Sequence, residues 1–493
     1  MTPPATPSST LVERLDALYE YDREPVAKNR LHGGKTFIAM FAGEHTAGTE
    51  FVLGPLFVMH GVAAFDAFVG LLLGNLLAVL SWAFFCAPVA VRTRLTIYWQ
   101  IRKICGPYLT VIYSGCYALV LCLLAGAMVN VSATAIALPL GIDNPNYLAG
   151  EIFPSVPWML MAAVVGVVIA VVAVLGFDRV AYFSKLCAPW MPLIFISAGI
   201  AVLPQLGCTS LSTFWETMQT RVFTGVPVEG VSKYGFWHVV GFAWLCNITQ
   251  HIGMADVTIF RYAKHWSYGF ASAFGMYLGH YVAWIASGIL SAVALSQGIA
   301  ANPGNIAWLG AGWAGIVCVV LAGWTTANPT LYRAGLAFQV ATPNWRRWKV
   351  TFVAGALMIV AACVPAILHY LDRIVGYYGL FFMPLGAFIF IDVWLFPRLG
   401  LISSFAERTR ARWSWPAGFA WFGALAFSVI AYGKDNYPWL AWVNDVLPAS
   451  LARYQADLFF LVLPEWLVAV TLYTVFSLIQ QRSTSLALQP QQA

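Results

Sequence analysis

The sequence predicts an all-helical membrane protein with twelve transmembrane helices, and three observations support this fold class. The 493 residues are 60% hydrophobic and 10% charged, with a mean hydropathy of +0.73, whereas a soluble domain carries roughly 25% charged residues. Apolar segments of about 20 residues, enough to cross a bilayer, recur along the chain. Lys and Arg residues collect on one side of these segments. Soluble, fibrous and disordered classes are therefore excluded.

The predicted segments are each bounded by Pro, Gly or charge. In lipid each of them must be helical, because unpaired backbone groups are too costly there. In chain order they cover residues 36–59, 62–88, 107–135, 157–176, 187–207, 236–258, 267–297, 306–327, 350–370, 374–396, 415–433 and 459–480.

The first and sixth segments are interrupted by polar residues near their middles. The first contains Glu44, His45 and Glu50, and the sixth contains Asn247 and Gln250 followed by a histidine and a glycine. A helix broken at bilayer depth must line a cavity, because its freed backbone groups cannot face lipid. The two segments are five apart, and an odd spacing places the second copy of a five-helix unit upside down. We therefore expect two inverted repeats around a central transport site.

The distribution of basic residues predicts the orientation. With the N-terminus inside, 22 of the 27 Lys and Arg residues fall on the inner side, so both termini are expected in the cytoplasm and the protein in the plasma (inner) membrane. Residues 1–30 lack the apolar region of a signal peptide. The predicted organisation is a cytoplasmic tail at 1–33, a first five-helix repeat at 34–207, an extracellular loop at 208–235, a second repeat at 236–396, helices 11 and 12 with connecting loops at 397–482, and a cytoplasmic tail at 483–493.

Five ordered stretches resemble signatures of one transporter family. They read LLLGNLLAVLSWAF, PVAVRTRLTIYWQIRKICG, ADVTIFRYAK, AGWTTANPTLYRAGLAF and PLGAFIFIDVWLFPR. Over about residues 30–400 the chain resembles the nucleobase–cation symporters, which are LeuT-type transporters for purines, pyrimidines, hydantoins and related rings. The resemblance implies a LeuT-like five-plus-five inverted repeat with helices 1 and 6 broken, followed by two C-terminal helices.

The resemblance also implies a sodium site. Thr325 and Thr326 match the hydroxyl pair of the family's site, whose other ligands are first-helix carbonyls, here expected from Ala42 and His45. Hydroxyl and carbonyl oxygens are hard ligands that suit Na⁺ without buried charge. The alternative is that each threonine bonds back to the carbonyl four residues earlier in its own helix.

The expected substrate-binding residues come from the interrupted segments and from the third segment. Tyr117 stands where many family members place a ring-stacking Trp, and Trp244 is a candidate for the aromatic residue of the sixth segment. The full set is Glu44, His45, Tyr117, Trp244, Asn247, Gln250 and His251. A structural alternative ties Glu44 to neighbouring amides or to an Arg. For Glu50, a functional and a structural role are equally favoured. His280 and Glu465 are interpreted as structural residues.

Asp256 and Arg261, at the inner end of the sixth segment, are expected to pair with each other or with a loop as a gate or anchor. The chain contains no H-E-x-x-H, G-x-S-x-G or P-loop motif, so neither an intramembrane enzyme nor an ATP-driven pump is favoured. None of the nine cysteines forms a C-x-x-C pair, so neither a disulfide framework nor a zinc site is indicated.

The predicted function is Na⁺-coupled symport of a small ring-containing solute such as a nucleobase, hydantoin or vitamin precursor. A proton-coupled symporter of an unrelated polar solute is the main alternative, and an intramembrane enzyme is a third. No cofactor is expected besides Na⁺ or H⁺ as coupling ion. The expected partners are the solute and the lipid bilayer, without nucleic acid. The sequence leaves substrate identity, direction of transport and oligomeric state open, and a monomer is compatible with it.

Overall fold

A computed structural model of the chain describes residue 21 and residues 23–145, 151–453 and 457–488. The predicted tails therefore lie partly outside the described residues. Regular structure in the described part is helical, with two isolated β-bridges that join His32 to Ala263 and Ala63 to Thr224. This agrees with the predicted all-helical class.

The helices of the first half overlap the five predicted segments. They are α1 (Gly34–His45), α2 (Glu50–Met59), α3 (Asp66–Thr93), the amphipathic α4 (Ile97–Cys105), α5 (Pro107–Ala137), α6 (Val156–Val174), α7 (Phe177–Leu206) and α8 (Leu211–Thr217). Of these, α4 and α8 are in addition to the segments, and α7 begins ten residues before its segment 187–207. Thr96 caps α4 by accepting a hydrogen bond from the Trp99 amide, and α4 ends at Gly106.

The second half begins with short pieces and continues with long helices. They are α9 (Phe236–Leu245), α10 (Ile248–His251), α11 (Val257–Phe260), α12 (Trp266–Ser296), α13 (Pro303–Ala341), α14 (Arg347–Ala362), α15 (Ala366–His369), α16 (Leu371–Phe390), α17 (Phe405–Arg408), α18 (Trp415–Asn436), α19 (Val443–Val446), α20 (Ala449–Ala452) and α21 (Val462–Leu488).

Nine helices in the described part are long and apolar enough to cross a membrane. Each coincides with one of the twelve predicted segments. The other three predicted segments consist of shorter helices, namely α1 with α2, α9 with α10 and α11, and α14. Two of these three segments are those in which the sequence places glycines and polar residues together, and the third is divided between α14 and α15.

The breaks are short non-helical stretches. Residues 46–49 between α1 and α2 are not helical, and residues 252–256 form turns between α10 and α11. Met254 adopts φ +62°, a left-handed conformation that costs a non-glycine residue about 1–2 kcal/mol. Such a conformation persists only where packing holds it, and Met254 is fully buried.

Helix α13 is much longer than its predicted segment, 306–327. It kinks at Gly312, whose φ of +54° suits glycine, and it continues to Ala341. Hydropathy does not detect the extension because it contains Asn328 and Arg333. The charge count placed Arg333 in an inner loop, and that assignment is wrong, since the residue is buried within α13.

Helices α5 and α13 form the most extensive helix pair, and α2 and α7 pack on α12. Helices α18 and α21 pack on each other beside α16. Large apolar side chains cover the outer surface, including Phe65, Leu72, Val164 and Phe352, each about half exposed or more. A water-facing surface would not carry so many of them. With the long apolar helices, this surface shows a multi-pass membrane protein.

Candidate functional site

A central cavity of about 110 Å³ lies between the two interrupted segments. Its walls come from residues 44–53, from α9 and the following turn, and from α5, α12, α13 and α16. An apolar cavity of roughly 150 Å³ is enough to hold benzene in other proteins. The cavity in this conformation is therefore somewhat smaller than one that holds a benzene ring.

Four of the predicted substrate-binding residues line this cavity. They are Glu44 and His45 of the first segment and Asn247 and Gln250 of the sixth. Glu44 and His45 line it at the end of α1, and Gln250 lines it from α10. Two of their atoms have no hydrogen-bond partner among the described residues, namely His45 Nε2 and Gln250 Oε1. Unpaired buried polar atoms are the positions at which a bound solute would donate or accept.

Two predicted residues of the sixth segment point elsewhere. His251 Nε2 lies 3.0 Å from the Trp244 carbonyl oxygen, and its ring packs against Trp82. Trp244 donates its indole N–H to Ser81 Oγ at 3.0 Å. Because successive helical residues turn by about 100°, His251 cannot share the face of Gln250 in α10. His251 and Trp244 therefore do not line the cavity in this structure.

Tyr117 also lies outside the cavity wall. It is fully buried in an aromatic cluster, and its ring stacks on Tyr113 and on Tyr378. The Tyr117 and Tyr378 hydroxyls are 3.3 Å apart. The aromatic rings that line the cavity are those of Tyr378, on α16, and Phe242, on α9, so the aromatic wall comes from the tenth and sixth predicted segments.

Glu44 takes part in a buried ion network. Arg333 donates to both of its carboxylate oxygens, from Nη1 to Oε1 at 2.6 Å and from Nη2 to Oε2 at 3.2 Å. Arg333 Nη2 also donates to Asp256 Oδ1 at 2.6 Å, and the Trp82 indole donates to Asp256 Oδ2 at 2.8 Å. Glu44 is thus tied to an Arg, as the structural alternative for this residue states. It also lines the cavity.

Asp256 and Arg261 do not pair with each other. Asp256 pairs with Arg333, whereas Arg261 donates to the Tyr21 and Thr258 carbonyls and to the hydroxyls of Tyr262 and Tyr332. The contact with Tyr21 joins α11 to the segment before α1. Arg261 therefore has the loop partner that the sequence analysis gave as its alternative.

Thr325 and Thr326 lie beside the end of α1. Thr326 Oγ1 is 2.7 Å from the Glu44 carbonyl oxygen and 3.1 Å from that of Ala322. Thr325 Oγ1 is 3.2 Å from the same Ala322 oxygen and also contacts Met191 Sδ. Two hydroxyl and two carbonyl oxygens thus lie close together. Both threonines also bond to the Ala322 carbonyl of their own helix, as in the alternative given by the sequence analysis.

The first-helix carbonyl at this point is not one that the sequence analysis named. The Ala42 carbonyl accepts from the Thr46 hydroxyl at 2.7 Å, and the His45 carbonyl packs against Gly279 of α12. Of the α1 carbonyls, that of Glu44 thus contacts Thr326, and Ala42 and His45 as Na⁺ ligands stay a prediction.

A second polar group lies on the other side of His45. Glu50 Oε1 is 3.6 Å from His280 Nε2, and the His280 ring stands edge-on to His45 at 5.0 Å and stacks on Trp284. All four side chains are buried. The sequence analysis took His280 as structural, yet both Glu50 and His280 line the cavity.

Sequence reasoning missed Arg333, Tyr378 and His280. Arg333 and His280 carried a usable signal, since an ionisable residue within an apolar helix is costly and requires a partner. Tyr378 carried none, because it is one of 21 tyrosines. Among the described residues no group of three His, Cys, Asp or Glu side chains is arranged to hold a metal ion.

The fold and the apolar surface define a multi-pass helical membrane protein built around a central polar cavity. No family model matches the sequence, and no curated protein matches it. The structure is similar to two solved structures of Mhp1, described as a nucleobase-cation-symport-1 family transporter.

One Mhp1 structure is in a closed conformation with bromovinylhydantoin bound and the other is inward-facing. Both have a TM-score of 0.66 and 16% identity. The alignments cover 92% of this chain and 94% of Mhp1 for the first, and 94% and 95% for the second.

A substrate-bound, outward-open Na⁺-coupled sialic acid symporter is also similar, with a TM-score of 0.61, 13% identity and 95% coverage of both chains. At these identities the likeness shows a shared fold. The predicted resemblance to nucleobase–cation symporters is confirmed at that level.

Proposed function

We propose that this protein is a secondary active transporter that carries a small ring-containing solute together with Na⁺, and that it is not an enzyme. The observation that carries the proposal is the meeting of α1 and α13 next to the central cavity. There Thr326 Oγ1 lies 2.7 Å from the Glu44 carbonyl, and Glu44 itself lines the cavity. An ion bound at this junction would hold both helices beside the solute.

The donor set suits Na⁺. Four neutral oxygen atoms meet here, from the Thr325 and Thr326 hydroxyls and the Ala322 and Glu44 carbonyls. A hard monovalent cation such as Na⁺ is coordinated by neutral oxygen ligands of this kind. We propose these four groups as ligands, with Glu44 in place of Ala42 and His45. Since Glu44 contributes to both sites, Na⁺ and solute would each strengthen binding of the other by the same factor.

The proposed architecture has twelve spans in two inverted five-helix repeats, with α1–α2 and α9–α11 as the broken helices and both termini in the cytoplasm. The Arg333 network would close the cavity on its inner side. Arg333 ties α1 to the turn before α11 through Glu44 and Asp256, and its carbonyl accepts from the Tyr98 hydroxyl at 3.1 Å. Tyr98 lines a separate cavity of about 160 Å³ that also contains Arg23 and Arg102.

Proton coupling is the second candidate. It is favoured by the Glu50–His280 contact of 3.6 Å in the cavity wall, with His45 adjacent, because such a group can take up and release a proton. This candidate predicts solute binding that follows pH and ignores Na⁺.

Binding of the solute in sodium and choline buffers at two pH values separates the candidates. A thermal-shift screen of purines, pyrimidines, hydantoins, vitamin precursors and amino acids first identifies the solute. The sodium proposal predicts tighter binding in sodium at both pH values. Equal affinity in the two salts would refute it.

Thr326→Ala tests the assigned ion ligand. Loss of one oxygen ligand should raise the Na⁺ concentration needed for half-maximal binding by about tenfold and should weaken solute binding only when Na⁺ is present. Thr351→Ala is the matched control, because Thr351 is also buried and bonds to the Arg347 carbonyl of its own helix, away from the cavity. A Thr326 variant that behaves like this control would contradict the assignment.

A further inference from the structure

Glu50 differs from Glu44, the other carboxylate that lines the central cavity, in having no Lys or Arg partner among the described residues. Its side chain is 2% exposed and lines the cavity. Oε1 faces His280 Nε2 at 3.6 Å, which is too long for a hydrogen bond. Oε2 has no hydrogen-bond partner among the described residues. One buried acceptor therefore remains open in the wall of the proposed solute site.

The surrounding charges leave this carboxylate unmatched. Glu44, the other carboxylate in the wall, is held by Arg333, which is shared with Asp256. In the part of the chain that the structure describes, neither Lys nor Arg lines the cavity. The titratable groups that face Glu50 are His280, the Cys246 thiol and, behind His280, the His45 ring. With neutral histidines, no positive charge in the described part of the wall faces the Glu50 carboxyl group.

The local backbone favours the anion. Glu50 is the first residue of α2, where the free amide groups of a helix start stabilise negative charge. Its own carbonyl is fixed by the Ser287 hydroxyl at 2.7 Å, which joins α2 to α12. A buried carboxylate without a cation is costly. Binding of a ligand that supplies both a positive charge and an N–H donor would remove this cost.

The apolar part of the cavity wall is suited to the uncharged part of such a ligand. The Tyr378 and Phe242 rings and the Leu124 side chain form its less polar part, against which the face of a ring can pack. We infer that the transported solute is a small ring compound that carries a protonated nitrogen, of ammonium or amidinium type, which donates to Glu50. This inference rests on the proposed transport function and names its substrate class.

Benzamidine and benzamide provide the test, because they have nearly the same shape and differ in charge at neutral pH. Each is titrated into the purified full-length protein in sodium buffer, and the change in melting temperature and the Kd are measured. We expect benzamidine to raise the melting temperature and to bind at least about tenfold more tightly than benzamide. Glu50→Gln keeps the side-chain shape and removes the charge, so it should abolish this preference.

Glu465→Gln is the matched control, because Glu465 is fully buried in α21 outside the cavity. It should leave the preference for benzamidine unchanged. No rise in melting temperature with benzamidine, an equal rise with benzamide, or a preference that survives in the Glu50 variant would each overturn the inference.

The transport proposal can be judged separately in the same preparation. Na⁺-dependent binding of a neutral ring solute without a preference for benzamidine would leave symport supported and the substrate class refuted. Glu50 as a proton carrier predicts equal binding of both probes, with a pH dependence of solute binding that Glu50→Gln removes. That result would also overturn the inference.

Discussion

Arg333 is the residue on which the buried charges of the molecule depend. Its guanidinium bonds to Glu44 at 2.6 Å and to Asp256 at 2.6 Å, and its side chain is 2% exposed. The planar fork of an Arg can serve two carboxylates at once, which the single ammonium of a Lys does less well. The network therefore holds α1, α13 and the turn before α11 together.

Removal of this cation should be strongly destabilising. Arg333→Ala leaves two carboxylates buried and facing each other, and loss of one member of a buried pair typically costs about 3–5 kcal/mol. The expected outcome is a large fall in melting temperature of the detergent-purified protein. Adding Glu44→Gln and Asp256→Asn should recover part of the loss, because the unpaired charges are then gone.

A triple variant no more stable than Arg333→Ala would show that charge is not the cause. Glu465→Gln, which changes a buried carboxylate outside the network, should by comparison have little effect on the melting temperature.

The residues of the site were only partly predictable. Glu44, His45, Asn247 and Gln250 could be found because polar side chains stand out in the middle of apolar segments. His251 and Trp244 could not be distinguished from them, because hydropathy does not reveal helix register within a broken segment. Tyr378 packs into the site from a distant helix, and only the tertiary structure brings it there.

The interrupted helix α1–α2 owes its position to close backbone approach by α12. A Cβ atom on Gly279 would lie 2.1 Å from the His45 carbonyl oxygen. Only glycine allows this contact, which seats the end of α1 against the π-helical turn Phe274–Tyr281. The His45 side chain is thereby placed next to His280.

Gly279→Ala should displace the end of α1. We expect a loss of about 1–3 kcal/mol, as for other overpacked sites, and weaker solute binding, because Glu44 and His45 move with the helix. Gly115→Ala on α5 is the control, since a Cβ there meets no atom within 4 Å. Equal melting temperatures and affinities for the two variants would contradict this account of the packing.

The helices were predicted well where hydropathy was uniform. The bounds of α5 and α12 lie within two residues of the predicted segments 107–135 and 267–297. The length of helix α13 was underestimated. Its C-terminal half is packed against protein and therefore tolerates polar residues that would be costly in lipid. Helix α14, at Arg347–Ala362, is shorter than its segment because it ends just before Val364 and Pro365.

At the scale of the whole molecule, the distribution of Lys and Arg predicts which loops face the cytoplasm. Thr220 and Trp345 are both exposed and lie on opposite sides in this scheme. Single cysteines at these positions, in a background without the partly exposed native cysteines, should react differently with a membrane-impermeant thiol reagent. Position 220 should be labelled in intact cells and position 345 only after permeabilisation. The reverse labelling pattern would show that the protein has the opposite orientation in the membrane.

The central claim is that the cavity between the broken helices serves Na⁺-driven transport. The most direct measurement is solute accumulation in proteoliposomes of the full-length protein, with an inward Na⁺ gradient or with choline in its place. The account predicts that the unmodified solute accumulates above its external concentration only with the Na⁺ gradient, and that Thr326→Ala requires more Na⁺. Equal uptake in choline, or recovery of a chemically altered solute, would contradict it.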